Sequence, residues 1–321
     1  MKIRSKTSTV AAARQDGAAI EKKPRLKTKT KTQLTMYGML LPSVLIATVF
    51  SIVPLFGLII AFQKFEIGAG IWGSQFVDIY NFTRLFRRAD FLQVLFNTVY
   101  IALWKIVLTS VLSVVTALLL NEMVTKHGKK LVQTIIFLPY FLSWALIGSV
   151  FVEMFGMDGV INIILGKSEP IDFLASNSYF RPIIIMTDIW KNLGYQAVVF
   201  LAAITTIDPT LYEAAEIDGA NRLQRCWHVT LPGIKSMIVL ICVLNIGNIM
   251  NAGFEQILVM YNPLVYESGD ILDTMSYREA MVTGSDYSLS TAIGLFKGVI
   301  NCILFAISYR IAYKVNGYTI F

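Results

Sequence analysis

Cysteine, histidine and charge are all scarce in this chain of 321 residues, and each scarcity closes off a class of function. Its three cysteines, Cys226, Cys242 and Cys302, have no paired spacing, and two of them fall inside apolar runs. That argues against a secreted disulfide framework and leaves them as small packing residues. The two histidines, His127 and His228, with no HExxH or serine-elbow pattern around them, give no metal site and no nucleophile. A phosphate-binding loop G-x-x-x-x-G-K-S/T is missing as well, since Gly128-Lys129-Lys130 lacks the first glycine and the hydroxyl. The chain therefore holds no ATPase chemistry of its own.

What it has is apolar surface. Hydrophobic residues make up 55% of the chain and charged ones only 15%, a membrane composition. The net charge of +7 is local: residues 1–36 hold ten basic and two acidic residues. Lys22, Lys23, Arg25, Lys27, Lys29 and Lys31 crowd ahead of the first apolar run with almost no aromatic interleaving, which suits anionic lipid and not nucleic acid. This tail is expected to be disordered, and the basic lead is too long for a cleaved signal peptide.

Six apolar runs have spanning length, at 37–62, 94–120, 131–155, 181–205, 235–258 and 291–313. The expectation is an all-α membrane protein of six transmembrane helices, with residues 37–321 as one domain behind the tail. Eighteen Lys and Arg fall on the side of the termini and six on the other, so both termini should be cytoplasmic. In the first outer connection, 63–93, Gly68, Gly70 and Gly73 match G-x-G-x-x-G without a preceding strand and read as a flexible turn. Asn81-Phe82-Thr83 matches a glycosylation acceptor of no expected consequence. The last outer connection, 259–290, holds five acids and room for a short helix over 271–282.

Polar residues inside spans are expensive, and they normally face a bundle interior or a wet cavity. Pro139 should kink span three. Span four carries Asp188, Trp190, Lys191, Asn192, Tyr195 and Gln196, and span five carries Asn245, Asn248, Asn251 and Glu255 at helical spacings. Both stripes reach mid-membrane from opposite ends, which points to a solute pathway. Two structural alternatives stand beside it: Asp188 and Lys191, three residues apart, can neutralise one another, and amides can simply bridge helices. Lys297 in span six can snorkel to the outer surface.

Between spans four and five lies a polar stretch, 208–233, reading DPTLYEAAEIDGANRLQRCWHVTLPG. Asp208 can cap a helix that begins at Pro209 and shows Leu211, Ala214, Ala215 and Asp218 on one face, with Gly219 permitting a bend. A second short helix over 221–228 should be stopped by Leu231, Pro232 and Gly233. A helix lying on the membrane surface would also read this way.

The arrangement Glu213-Ala214-Ala215, Gly219, Val229, Leu231 and Pro232 resembles the EAA signature of permease subunits of ATP-binding-cassette importers, with Val229 where the family usually has Ile. In that family the loop is a cytoplasmic coupling helix seated in a groove of a separate ATPase. The stretches LLNEM at 119–123, DIWKNLGYQ at 188–196, AGFEQI at 252–257 and NPLVYESGDILDT at 262–274 are similar to one branch of carbohydrate permeases, that of lipoprotein-linked and polysaccharide uptake. The resemblance spans 37–321 and leaves out the tail.

It implies half of a heterodimeric bacterial inner-membrane pore, with a second permease, a cytoplasmic ATPase dimer and an extracytoplasmic sugar-binding protein as partners. No cofactor is expected on this chain, ATP and Mg being used by the ATPase. The implied coupling residues are Glu213, Ala214, Ala215, Asp218, Gly219, Leu231 and Pro232. Lys191, Lys105 and the outer arginines would suit an acidic, uronate-type sugar. The rival is an ion-driven secondary transporter using Asp188 or Glu255, which leaves the EAA stretch without a purpose. A membrane-embedded enzyme would need an acid–base pair or a metal cluster, and none stands out.

Overall fold

The computed structural model describes residues 26–166, 169–284 and 286–316. The tail before residue 26 and Lys167 lie outside the described residues. The chain divides into two units, Met1–Gly57 and Leu58–Phe321. In the first, α1 (Leu26–Ala47) already includes the last basic residues of the tail, and a wide turn at Thr48–Ile52 continues it.

The second unit opens with a feature absent from the all-helical expectation. β1 (Gln63–Lys64) pairs antiparallel with β2 (Gln75–Phe76), and a single helical turn around Gly70, whose φ is +67°, joins them. The Gly68–Gly73 segment is thus a hairpin loop, which Gln63 Nε2 pins by donating to the Ile71 carbonyl at 2.9 Å. Two-residue strands carry no alternation that a sequence reading can detect. Asn81, in α2 (Tyr80–Arg87), is buried and donates both Nδ2 protons to the carbonyls of Ala61 and Gln63, so its glycosylation match is without effect.

α3 (Phe91–Asn121) is span two, and it packs along α7 (Asn177–Ile204), which is span four. Span three is broken rather than kinked. α4 (Lys126–Phe137) gives way to a tight turn at Leu138–Phe141, and α5 (Trp144–Phe155) starts afresh with Ser143 as its N-cap. Pro139 lacks the N–H that would continue the ladder. After Gly159 the short α6 (Val160–Leu165) follows.

Past span four come α8 (Pro209–Ile217) and α9 (Arg222–Gly233), and then α10 (Lys235–Gly247). Span five is broken as well. α10 ends before Asn248, Ala252 and Gly253 have φ of +35° and +88°, and α11 (Phe254–Met260) follows. The expected polar stripe of Asn245, Asn248, Asn251 and Glu255 therefore does not run along one helix face. Asparagine side chains compete with helical hydrogen bonds, as Asn248 does here by bonding the Leu244 carbonyl, and Gly253 supplies the left-handed turn.

In the 259–290 connection, α12 (Leu272–Tyr277) and a wide turn to Val282 occupy the place expected for a short helix. α13 (Tyr287–Asn316) is span six. By length and apolarity, four stretches of helix among the described residues can cross a membrane, Trp144–Leu165 among them, and counting each of two bent pairs, α7 with α8 and α9 with α10, as one span brings the total to six. The main core of the second unit collects Ile101, Phe180, Ile184, Ile257, Leu272 and Met275 from spans two, four and five and from α12.

Candidate functional site

Both breaks are held from one turn of α7. Lys105, on α3 and nearly fully buried, donates to the Ala252 carbonyl at 2.9 Å and to Gln256 Oε1, and pairs with Asp188 Oδ1 at 3.4 Å. Gln256 in turn donates to Thr187 Oγ1 at 2.7 Å and to the Ile184 carbonyl at 2.8 Å. The carbonyl that the broken span five exposes is thus covered by an ammonium, which hydrocarbon requires. A Cβ on Gly253 would sit 2.5 Å from Lys105 Nζ, so both its backbone angle and this approach require glycine.

Three residues along α7, Lys191 does the same for span three. Its Nζ donates to the carbonyls of Tyr140 at 3.0 Å and Pro139 at 3.3 Å, and to that of Leu142. Asp188 and Lys191 are therefore not the direct pair that their spacing suggests: Asp188 goes to Lys105 and Lys191 to main-chain oxygens. Lys105 and Gln256 complete the network, and the signal for the first was a lone lysine inside an apolar run.

Around this centre the remaining expected pathway residues separate. Trp190, half-exposed, packs edge-on to Phe151 and borders an apolar cavity of about 530 Å³ lined also by Leu146 and Met186. Tyr195 stacks on Tyr140 with ring centres 4.4 Å apart, and Asn192 is half-buried. Asn248 and Asn251 are exposed and bond one another, and Glu255 is exposed beyond the break. Among the described residues Gln196 Oε1, Asn245 Nδ2, Thr109 Oγ1 and Ser110 Oγ are buried polar atoms without a protein partner. A path wetted by water or a hydroxyl-rich solute would satisfy them. Asn245→Leu should therefore lower uptake, since it removes from the path an amide free to pair with water or a sugar hydroxyl, and leave the unfolding midpoint near that of the parent. Unchanged uptake would make Asn245 a packing residue only.

The loop between spans four and five is built as expected at its start. Asp208 Oδ1 accepts from the Thr210 N–H at 2.9 Å, which holds its carboxyl below the usual carboxylate range, and Pro209 occupies the first helical position. Gly219 has φ of +80°. Asn221 and Gln224 then form a reciprocal cap that starts α9, and Tyr212 Oη meets Thr230 Oγ1 at 3.0 Å to tie the two helices together. Leu231, Pro232 and Gly233 do not end the second helix at 228. A wide turn at Cys226–Thr230 carries the chain into them, so that Pro232 lies in a fresh first turn, and the bend comes at Ile234, 58° between α9 and α10. Glu213, Ala214 and Asp218 are exposed and Ala215 is half-buried. Ile217, Leu223 and Trp227 also leave more than half of their surface uncovered.

The connection over 259–290 is clasped by charge. Arg181 donates to Asn97 Oδ1 at 2.6 Å and to the Ser268 carbonyl at 3.0 Å, and Arg278 grips Asp270 at 2.6 Å. Tyr261 beside them is pushed up to about 12 by burial and by the neighbouring Tyr266 and Asp270. Lys297 does not snorkel freely: it pairs with Asp273 at 2.6 Å, and burial still pushes that carboxyl above its usual range.

Discontinuous transmembrane helices whose breaks converge on buried charges are the architecture of a membrane transport protein. Residues 109–317 match the family described as "Binding-protein-dependent transport system inner membrane component", and the chain belongs to that family. It is 39% identical over 297 residues to the polygalacturonan/rhamnogalacturonan transport system permease protein YteP of Bacillus subtilis (strain 168), covering 92% of each chain. Among solved structures, a chain of a bacterial ABC transporter involved in import of the acidic polysaccharide alginate superposes with a TM-score of 0.83 and 32% identity, over 91% of this chain and 99% of that one. A second structure, of a bacterial alginate ABC transporter in complex with an alginate pentasaccharide-bound periplasmic protein, gives 0.84 and 31%, over 92% and 100%. The resemblance to permeases of carbohydrate ABC importers is thereby borne out.

Proposed function

We propose that this chain forms half of the transmembrane pathway of a binding-protein-dependent importer that carries an acidic oligo- or polysaccharide into the cytoplasm, driven by ATP hydrolysis in separate subunits. The observation that carries the reading is the convergence of two broken spans on residues 188–191 of α7, with tyrosine and tryptophan faces and unpartnered amides around it. Such breaks place binding groups near the membrane midplane, and amides with aromatic faces suit a sugar. The uronate preference draws support from the polygalacturonan/rhamnogalacturonan permease and the alginate transporter structures. It does not draw on Lys105 or Lys191, whose ammonium groups are already occupied within the protein. A second permease of the same family would complete the pore, and an extracytoplasmic sugar-binding protein would deliver the substrate. Both termini and the 208–233 loop would face the cytoplasm of a bacterial inner membrane.

Glu213, Ala214, Ala215, Asp218, Gly219, Leu231 and Pro232 form the contact with the ATPase. The exposed Ile217, Leu223 and Trp227 beside them supply its apolar area. Nothing favours the ion-driven alternative, since Asp188 already has Lys105 as its counterion.

Affinity purification of the tagged chain in mild detergent tests the reading. An ATPase and a second permease should copurify, and ATP hydrolysis should rise with a binding protein loaded with a uronate oligomer but not with a neutral one. Recovery of the chain alone, inert toward ATP, would overturn it. Gly219→Trp should leave the chain folded and paired with its second permease, because a Cβ there meets nothing within 4 Å in this chain, yet lower stimulated hydrolysis and uptake about tenfold, the size of a coupling change of 1–2 kcal/mol. Full activity in this variant would remove the bend from the coupling path.

A further inference from the structure

Lys191 and Lys105 solve one problem in two places. A transmembrane helix that breaks exposes main-chain carbonyls where no water can reach them. In transporters that run on ion gradients, such unwound carbonyls coordinate an alkali cation. Here an ammonium stands at each break. Lys191 Nζ has three protons and three carbonyl acceptors, those of Pro139, Tyr140 and Leu142, so no donor remains for a substrate. The faces of Trp144 and Tyr140 lie 5.5 and 5.8 Å from the same nitrogen, so rings as well as carbonyls present negative potential to the charge. Lys105 Nζ meets the Ala252 carbonyl, Gln256 Oε1 and the Asp188 carboxylate. Asp188 and Lys191 are one helical turn apart on α7, so both breaks are fixed to the same rigid element.

We propose that Lys191 and Lys105 are positioning residues that act as tethered cations, each filling at a broken span the place that a bound alkali ion takes in ion-coupled transporters. The breaks in spans three and five are thereby permanent, and the pathway needs no coupling ion. A carbonyl cage built around a cation has a testable property. With the lysine truncated, a small cation of the right size should fill it again, whereas a neutral molecule of the same volume should not.

Lys191→Ala retains Cβ and leaves space for the missing three carbons and ammonium, and n-propylammonium is their equivalent. The chain, extracted with whatever copurifies, should lose about tenfold or more in recovery of folded protein and in stimulated ATP hydrolysis, since three carbonyls at the break, one buried and two partly so, lose their donor. n-Propylammonium present during extraction and assay should restore both, potassium or sodium should restore them in part, and n-propanol should restore neither. Lys191→Met, whose stem fills the channel without charge, should show the same loss and no rescue. Equal rescue by n-propanol would make Lys191 a space-filling residue and overturn the proposal. So would a Lys191→Met variant equal to the parent, or a Lys191→Ala variant that no amine recovers. Absence of any ATPase from the parent preparation would sink the importer reading alone, because recovery of folded chain still reports on the cage.

Discussion

Lys105→Met lowers the stability of the folded chain by about 3–5 kcal/mol, a loss read as a steep fall in unfolding midpoint and in recovery from detergent. Methionine has nearly the volume of the lysine stem, so no cavity accounts for the loss. What disappears is the charge. Asp188, whose side chain is only 14% exposed, is left without its partner at 3.4 Å, and the Ala252 carbonyl and Gln256 Oε1 lose a donor each. Asp188→Leu should be milder, because the Lys105 ammonium retains two acceptors. Combining Lys105→Met with Asp188→Leu should recover part of the single loss, since a buried pair replaced by apolar groups is often tolerated where a broken pair is not. If Lys105→Met left the midpoint unchanged, the pair would not be the clasp that holds span five open.

That clasp also shows where the sequence stopped being readable. The uninterrupted spans were legible from apolar length alone: 94–120 against Phe91–Asn121, 181–205 against Asn177–Ile204 and 291–313 against Tyr287–Asn316. The capped start and the bend of the loop between spans four and five were legible because Asp-Pro and a glycine act locally. The breaks were not. Pro139 announces a kink, but a full interruption there depends on Lys191, which follows it by 52 residues. The asparagines of span five have helical spacing, so periodicity reads them as one stripe, whereas the helix ends at Gly247, and Gly253 with an ammonium from span two fixes the turn that follows them. Spacing likewise pairs Asp188 with its neighbour on the same helix, although its partner comes from α3. Side chains that meet across the bundle leave no periodic trace along the chain.

Gly194→Ala should be the most damaging single-methyl change in the second unit. A Cβ at this position would lie 1.9 Å from the Ile136 carbonyl oxygen, 2.4 Å from its carbon and 2.8 Å from the Phe137 nitrogen. All three are backbone atoms at the end of α4, so no side chain can swing aside and the two helices must separate. Overpacking typically costs 1–3 kcal/mol, and a collision with main chain belongs at about the upper end of that range or beyond it. The displacement falls where function is concentrated, because α4 leads directly into the break whose carbonyls Lys191 covers from the next turn of α7. Uptake should therefore be lost along with the unfolding midpoint. Gly219→Ala is the matched control. It meets nothing within 4 Å and carries only the strain of a left-handed φ of +80°, about 1–2 kcal/mol. It should spare the packing of spans three and four, and the Lys191 cage with it. A Gly194→Ala chain that unfolds no earlier than Gly219→Ala would mean that α4 and α7 do not approach as closely as this geometry places them.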